Sequence, residues 1–138
     1  MINKTSTFAP IEDDHVPYER VLLVEDEPVL RRVIARNLTS RGVTVQEAAS
    51  ASEAIAAFNA APPDLLLLDI NLPDQTGWDV LRELQRRGRA VPTVIISAVR
   101  VSQRRLDEFR PLAYLPKPFP IEALLRLVFE REKPTTED

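Results

Sequence analysis

Four places in the chain put a reactive side chain directly behind an apolar run. Val21-Leu22-Leu23-Val24 leads into Glu25, Asp26 and Glu27, and Leu65-Leu66-Leu67-Leu68 leads into Asp69. Val94-Ile95-Ile96 leads into Ser97 and Ala98, and the run ending at Leu115 leads into Pro116, Lys117 and Pro118. An acid behind four leucines is carried to the rim of a buried segment and partly desolvated there. Two or three such carboxylates within a few ångströms repel and raise one another's pKa. A hard divalent cation removes that conflict. Mg²⁺ (or Mn²⁺) is satisfied by one or two carboxylates, waters and phosphate oxygens. Acids with a metal, a hydroxyl donor and a lysine make a coherent phosphoryl-transfer site. In it Asp69 is the nucleophile that forms an acyl phosphate, Ser97 donates to a phosphate oxygen, and Lys117 and the cation neutralise the transferred charge. Ala98, being small, leaves room for the phosphate.

That chemistry requires residues far apart in sequence to converge, so it depends on the elements that carry them. The apolar runs are residues 21–24, 43–45, 65–68, 91–96 and 112–115. Several are apolar throughout rather than alternating, as in strands covered on both faces. Between them the period becomes helical. Leu30, Val33, Ile34, Asn37 and Leu38 share one face, with Gly42 placed to end that helix. Ser50 and Glu53 form a capping-box pattern before Ala54, Ile55 and Phe58. Val80, Leu81 and Leu84 make a third stripe closed by Gly88, and residues 102–109 a weakly patterned fourth helix. A fifth helix begins with Pro120 at N1 and carries Ile121, Leu124, Leu125 and Val128 on one face. Strands alternating with helices predict a three-layer, flavodoxin-like α/β sandwich, (βα)5, with a parallel sheet of order 2-1-3-4-5. Ligands of such sheets bind beyond the carboxyl ends of the strands. In this order strands 1 and 3 are neighbours, so Glu25, Asp26 and Asp69 converge.

Composition removes most rival chemistries. There is no cysteine and a single histidine, His15, which excludes disulfides, thiolate catalysis and Cys-ligated zinc and leaves no histidine cluster. The balance of 44 % hydrophobic and 28 % charged residues in 138 is that of one soluble domain. A net charge of −3 provides no electrostatic reason to bind nucleic acid directly or an anionic membrane. No apolar stretch is long enough for membrane insertion, and no signal-peptide pattern opens the chain, so the expected location is cytoplasmic. Residues 1–18, polar and acidic, read as a flexible leader, residues 19–131 as the folded domain, and residues 132–138 as a polar tail.

Over about residues 20–131 the chain resembles the receiver domain of two-component response regulators, in its chemotaxis-regulator-like, single-domain form. The matching pieces are Val-Glu-Asp-Glu-Pro (24–28), Leu-Leu-Asp-Ile-Asn-Leu-Pro-Asp-Gln-Thr-Gly (67–77), Ile-Ser-Ala (96–98) and Tyr-Leu-Pro-Lys-Pro-Phe (114–119). The resemblance implies that Asp69 is the phosphoacceptor. It implies that Glu25 and Asp26 hold Mg²⁺ together with Asp69 and the backbone carbonyl of Asn71, and that Ser97 and Lys117 bind the phosphoryl group. Tyr114 becomes an aromatic switch that turns inward when Ser97 moves toward phosphate. The Lys117–Pro118 bond is one that the family commonly holds in cis. The implied partners are a sensor histidine kinase or phosphotransfer protein as donor, or a small phosphodonor, and a downstream protein target that reads the helix 4, strand 5, helix 5 surface. No oligomeric state is implied. The domain catalyses only its own phosphorylation and dephosphorylation, and the side chains of Asn71 and Val99 lie where relatives tune the lifetime. Apolar Val99 orients no water, which implies a moderately slow reset.

Departures and plainer roles stand beside this reading. Residues 99–111 are short and arginine-rich, and Pro111-Leu112 replaces the Gly-Ala pair that relatives often carry, so helix 4 is expected to be short or irregular. Tyr114 has an alternative as a core aromatic, Ser97 as a strand-end hydroxyl, Lys117 as a solvated loop lysine, and Asp69 as a turn or cap residue. Trp78 reads as a partly exposed packing residue. Arg31, Arg32, Arg36 and Arg41 read as the solvated face of the first helix, with kinase recognition as the rarer role. The competing functions are an aspartate-nucleophile phosphatase and a degenerate receiver that only binds protein. Against the phosphatase, the second acid of an acid-x-acid loop is Asn71 and the nucleophile follows strand 3 rather than strand 1. A transcription factor is disfavoured, because few residues follow Arg131.

Overall fold

A computed structural model describes residues 17–130. His15, most of the expected leader and the expected tail lie outside them. Strands β1 (Arg20–Val24), β2 (Thr44–Ala48), β3 (Leu65–Asp69), β4 (Thr93–Ser97) and β5 (Ala113–Pro116) alternate with helices α1 (Pro28–Thr39), α2 (Ala51–Ala60), α3 (Gly77–Arg86), α4 (Gln103–Phe109) and α5 (Ile121–Phe129). The strands form one parallel sheet in the order β2-β1-β3-β4-β5. The expected architecture is thus present.

The continuous leucine runs are explained by a core on each face of the sheet. Leu65 and Leu67 point with Val21, Leu23, Val94 and Ile96 toward Ile34 and Leu38 of α1 and Leu124 and Val128 of α5. Leu66 and Leu68 point with Leu22, Val24 and Ile95 toward Ala54 and Phe58 of α2 and Val80, Leu81 and Leu84 of α3. Successive strand residues face opposite layers, so a strand covered twice must be apolar at every position. Tyr18, at the end of the expected leader, packs half-buried against the α1–α5 core. Among the described residues no helix is long and apolar enough to cross a membrane.

Helix ends follow the residues that stop and start them. After α1, the Val43 N–H donates to Leu38 O (3.2 Å) and the Gly42 N–H to Thr39 O (3.0 Å), a Schellman pair with Gly42 at φ 93°. Gly88 (φ 67°) closes α3 in the same way.

Several local expectations need correction. β2 runs to Ala48 rather than ending at Val45, because an edge strand tolerates exposed Gln46 and Glu47, which hide it from a search for apolar runs. Pro120 is the N-cap of α5, not its first turn. Ser50 accepts from the Glu53 N–H (3.2 Å), but the Glu53 carboxylate accepts from Ala49 rather than Ser50 (2.8 Å), so that box is half formed. The complete capping box belongs to Thr76 and Asp79 at α3. α4 is short, as expected, with seven residues and none buried. It closes on Arg110 at φ 49°, a left-handed conformation that glycine adopts without strain.

Candidate functional site

Register brings the reactive residues to one rim. Val24 lies opposite Leu68, which puts Glu25 level with Asp69, and Ser97 lies opposite Pro116 with Lys117 next in the chain. The Glu25 N–H donates to Ala48 O (3.0 Å) and the Lys117 N–H to Ser97 O (2.8 Å), so both backbones continue the sheet. The Lys117–Pro118 bond is cis.

Lys117 joins the two buried acids. Its Nζ lies 2.9 Å from Glu25 Oε1, donates to Oε2 at 3.2 Å, and donates to Asp69 Oδ2 at 3.1 Å. Glu25 is 0 % exposed and Asp69 2 %. Burial pushes the Glu25 carboxyl up to about 7 against the opposing pull of the Lys117 hydrogen bond and the Glu27 N–H, and the nearby Asp69 charge adds to the rise. Burial pulls Lys117 down, but hydrogen bonds to Glu25 and Asp69 outweigh it and hold its pKa above the ordinary lysine value. Lys117 is therefore held protonated between the two buried acids.

The donor set suits a hard cation. One carboxylate oxygen from each of Glu25, Asp26 and Asp69 lies within 4.8 Å of the others. Glu25 Oε1 is buried, and for all its closeness to the ammonium it accepts no hydrogen bond, an orphaned oxygen lone pair of the kind a metal satisfies. Asp26 is exposed, leaving the cluster open on that side. Asn71 follows Asp69 closely, donates its N–H to Asp69 Oδ1 (3.0 Å) and pairs with Thr76 across the β3–α3 loop.

Ser97 and Tyr114 are not aimed at the acids. Ser97 Oγ is fully buried, donates to Val99 O (2.8 Å) and accepts from the Val99 N–H (3.1 Å), which closes the β4–α4 loop on itself. Tyr114, half-buried against the α2–α3 core, donates its hydroxyl to the same Val99 carbonyl at 3.3 Å. The two candidate switch residues therefore share one acceptor.

Two expectations fail. Trp78 is buried, 8 % exposed, because α4 folds over it and Phe109 stacks on its ring at 5.3 Å. Arg31 is not part of a solvated face: its Nη1 donates to Glu25 O (2.8 Å) and its Nε to Glu47 (3.0 Å). One helical turn after Glu27, it reaches back over the end of β1, a placement that helical spacing alone carries. Sequence reasoning also missed how close Gly77 comes to the site. A Cβ there would meet Asp69 O at 2.7 Å and Ile70 Cα at 3.0 Å, so only glycine lets α3 start against the end of β3. Beside Lys117, a groove of about 510 Å³ is lined by Glu27, Val29, Leu30, Val33, Ala98 and Phe119 among others.

Comparison with known proteins agrees with this arrangement. Residues 21–129 match the family model for the response regulator receiver domain. The chain is 35 % identical over 123 residues to the probable transcriptional regulatory protein TcrX of Mycobacterium tuberculosis, covering 86 % of this chain and 53 % of that protein. It is 36 % identical over 121 residues to the KDP operon transcriptional regulatory protein KdpE of Escherichia coli, covering 84 % of this chain and 53 % of that protein. The chain thus spans about half the length of these curated relatives. Among solved structures it is similar to the response regulator protein TrrA of Thermotoga maritima in complex with Mg²⁺ and BeF. That match has 26 % identity and a TM-score of 0.69, and it covers 78 % of this chain and 94 % of that one.

Proposed function

This chain belongs to the response regulator receiver domain family, and from that premise we propose a phosphoacceptor signalling switch in which Asp69 takes the phosphoryl group. The observation that carries the reading is the Lys117 ammonium held between Glu25 and Asp69, beside three acids whose oxygens converge within 4.8 Å. Receiver domains bind Mg²⁺ at such an acidic pocket. Here Glu25, Asp26, Asp69 and the Asn71 carbonyl are the residues to hold it. When bound, the ion neutralises the charge on the transferring phosphoryl oxygens.

The donor is a phosphohistidine on a sensor kinase or phosphotransfer protein. A carboxylate oxygen of Asp69 attacks phosphorus, the phosphorus–nitrogen bond breaks, and neutral imidazole leaves after taking a proton. Lys117 stays protonated and stabilises the charge as the acyl phosphate forms. Water later attacks that phosphorus and restores the Asp69 carboxylate and inorganic phosphate. The chain acts only on itself in both steps. Val99, half exposed and apolar, provides no group to orient that water, which favours a slow reset.

Signalling follows from Ser97. To donate to the phosphoryl group its hydroxyl must leave Val99 O, and Tyr114 then remains as a donor to that carbonyl. Charge-assisted hydrogen bonds from Ser97 and Lys117 supply a few kcal/mol, enough to turn a minor conformer into the major one. The output surface is α4, β5 and α5, read by a downstream protein. The groove beside Lys117, with Val29 73 % and Val33 42 % exposed, is where a donor helix would approach.

The test is incubation with Mg²⁺ and acetyl phosphate, followed by intact mass, and with Mg²⁺ and beryllofluoride, followed by Trp78 fluorescence. The wild type should gain one phosphoryl mass and change its emission, and Asp69→Asn should do neither. An unchanged wild-type mass, or equal labelling of Asp69→Asn, overturns the reading.

A further inference from the structure

The loop between β3 and α3 is held at both ends by the sheet and the helix. The Ile70 N–H donates to Ile96 O (3.1 Å), the Gly77 N–H donates to Ile70 O (2.8 Å), and Thr76 is fixed in its capping box. Between these anchors residues 73–75 are exposed. Among the described residues, the hydrogen bonds that tie this stretch to another helix, α2, both end on Asp74. Its Oδ1 accepts from the Ala51 N–H at 2.8 Å and its Oδ2 from the Ser52 N–H at 3.0 Å, the first turn of α2. Ser50 is the local cap of that helix, accepting from Glu53, so Asp74 is a second cap supplied from elsewhere in the chain. These bonds hold the Asp74 carboxyl below the ordinary aspartate range.

The place of this tie matters more than the capping. The segment that leads into α2 begins at Ala48, whose carbonyl accepts from the Glu25 N–H at 3.0 Å. Asp74 therefore closes a ring. It runs from Glu25 through Ala48 to the start of α2, through Asp74 to Asn71, and from Asn71 to Asp69 through the bond at 3.0 Å. Lys117 completes it by joining Asp69 to Glu25. The two loops that carry Asp26 and Asn71 are thereby kept at a set spacing by contacts behind the site.

We propose that Asp74 is a positioning residue for the cation site, fixing the β3–α3 loop relative to the β1–α1 loop through the start of α2. This rests on the metal-assisted phosphoacceptor reading. Asp74 is too far along the loop to be counted with the acids that converge at the site, and it acts through the backbone it holds.

The experiment titrates Mg²⁺ into wild type, Asp74→Ala, Asp74→Asn and Ser50→Ala, reading Trp78 fluorescence or heat. Amide hydrogen exchange of residues 70–76 is followed in metal-free protein. Asp74→Ala should weaken Mg²⁺ binding about tenfold, as loss of an outer-shell partner does, and speed exchange across the loop. Asp74→Asn retains one acceptor oxygen and should recover part of both. Ser50→Ala removes the other cap of α2 without touching the loop, so it should lower thermal stability and leave Mg²⁺ affinity at the wild-type value. Unchanged affinity in Asp74→Ala, or an equal loss in Ser50→Ala, overturns the inference while the phosphoacceptor reading stands. A wild type that binds no Mg²⁺ overturns both.

Discussion

Lys117 donates to two carboxylates that are almost without solvent, at 3.2 and 3.1 Å, and its own side chain is 18 % exposed. Removing one side of a buried pair is far more damaging than replacing both, because the remaining charge keeps its desolvation penalty. Lys117→Ala would leave Glu25 and Asp69 together with no cation. Glu25 limits the loss by taking up a proton, since burial already pushes it to about 7. We expect the metal-free variant to lose about 3 kcal/mol at pH 8, measured by denaturant unfolding, and distinctly less at pH 6. Equal losses at the two pH values would contradict the paired arrangement. At this scale the residue types were legible, since each follows an apolar run, but the direction of Ser97 was not. A hydroxyl at a strand end can turn to a ligand or to its own loop, and here it turns to Val99.

At the scale of elements, α4 is the piece whose attachment is least like the rest. Seven residues with none buried cannot hold a helix in isolation. Its hold on the body is Phe109 stacked on Trp78 at 5.3 Å, with Arg105 over the Trp78 ring at 5.7 Å and Arg82 of α3 over Phe109 at 5.5 Å. An Arg82–Glu108 contact at 3.7 Å adds little, both side chains being well exposed. Phe109→Ala should therefore cost about 1–2 kcal/mol. It should also raise amide exchange in α4 selectively and shift Trp78 emission to the red, with α1 and α5 still protected. Uniform exchange across all helices would contradict a local clasp. The weak period of residues 102–109 announced a short helix. Its partner was not announced, because Trp78 and Phe109 belong to different helices and a stack between helices leaves no periodic trace.

Over the whole molecule, pH acts in opposite directions on two sets of carboxylates. Hydrogen bonds from the Ala51 and Ser52 N–H groups hold Asp74 below its ordinary 3.8, those from Thr76 hold Asp79 below 3.8, and those from Arg86 and Arg87 hold Glu83 below 4.5. Between each depressed value and the ordinary one the unfolded chain binds more protons. The stability these groups provide is therefore complete above the ordinary values and is lost as pH falls through the native ones. Glu25 runs the other way. Between 4.5 and about 7 the native state keeps a proton that the unfolded chain has lost, so stability falls as pH rises through that window. The metal-free protein should thus melt highest on the acid side of neutrality, declining below 3.8 and again toward 7. If Mg²⁺ is held by the ionised acids of the native state, as proposed above, its addition should remove the second decline. Thermal melts across pH with and without Mg²⁺ check this, and a decline that persists in Glu25→Gln would assign it to another group.

What the amino-acid sequence determined by itself is the part written in local order. Runs apolar at every position imply strands covered on both faces, helical periods between them imply parallel crossovers, and the reactive residues stand at the carboxyl ends where such sheets bind ligands. That alternation was enough to assign the fold and its strand order, the order placed Glu25, Asp26 and Asp69 together, and four strand-end fragments carried the family resemblance. What only the tertiary structure decided are the meetings across distance. Lys117 pairs with Glu25 92 residues away and with Asp69 48 away, and Asp74 caps a helix that begins 23 residues before it. Arg31 is drawn from solvent to the Glu25 carbonyl, and Gly77 is pressed against Asp69. Periodicity reports which face of an element a residue occupies. Which atom it finds there depends on how neighbouring elements are offset and rotated, and packing of the two cores sets that.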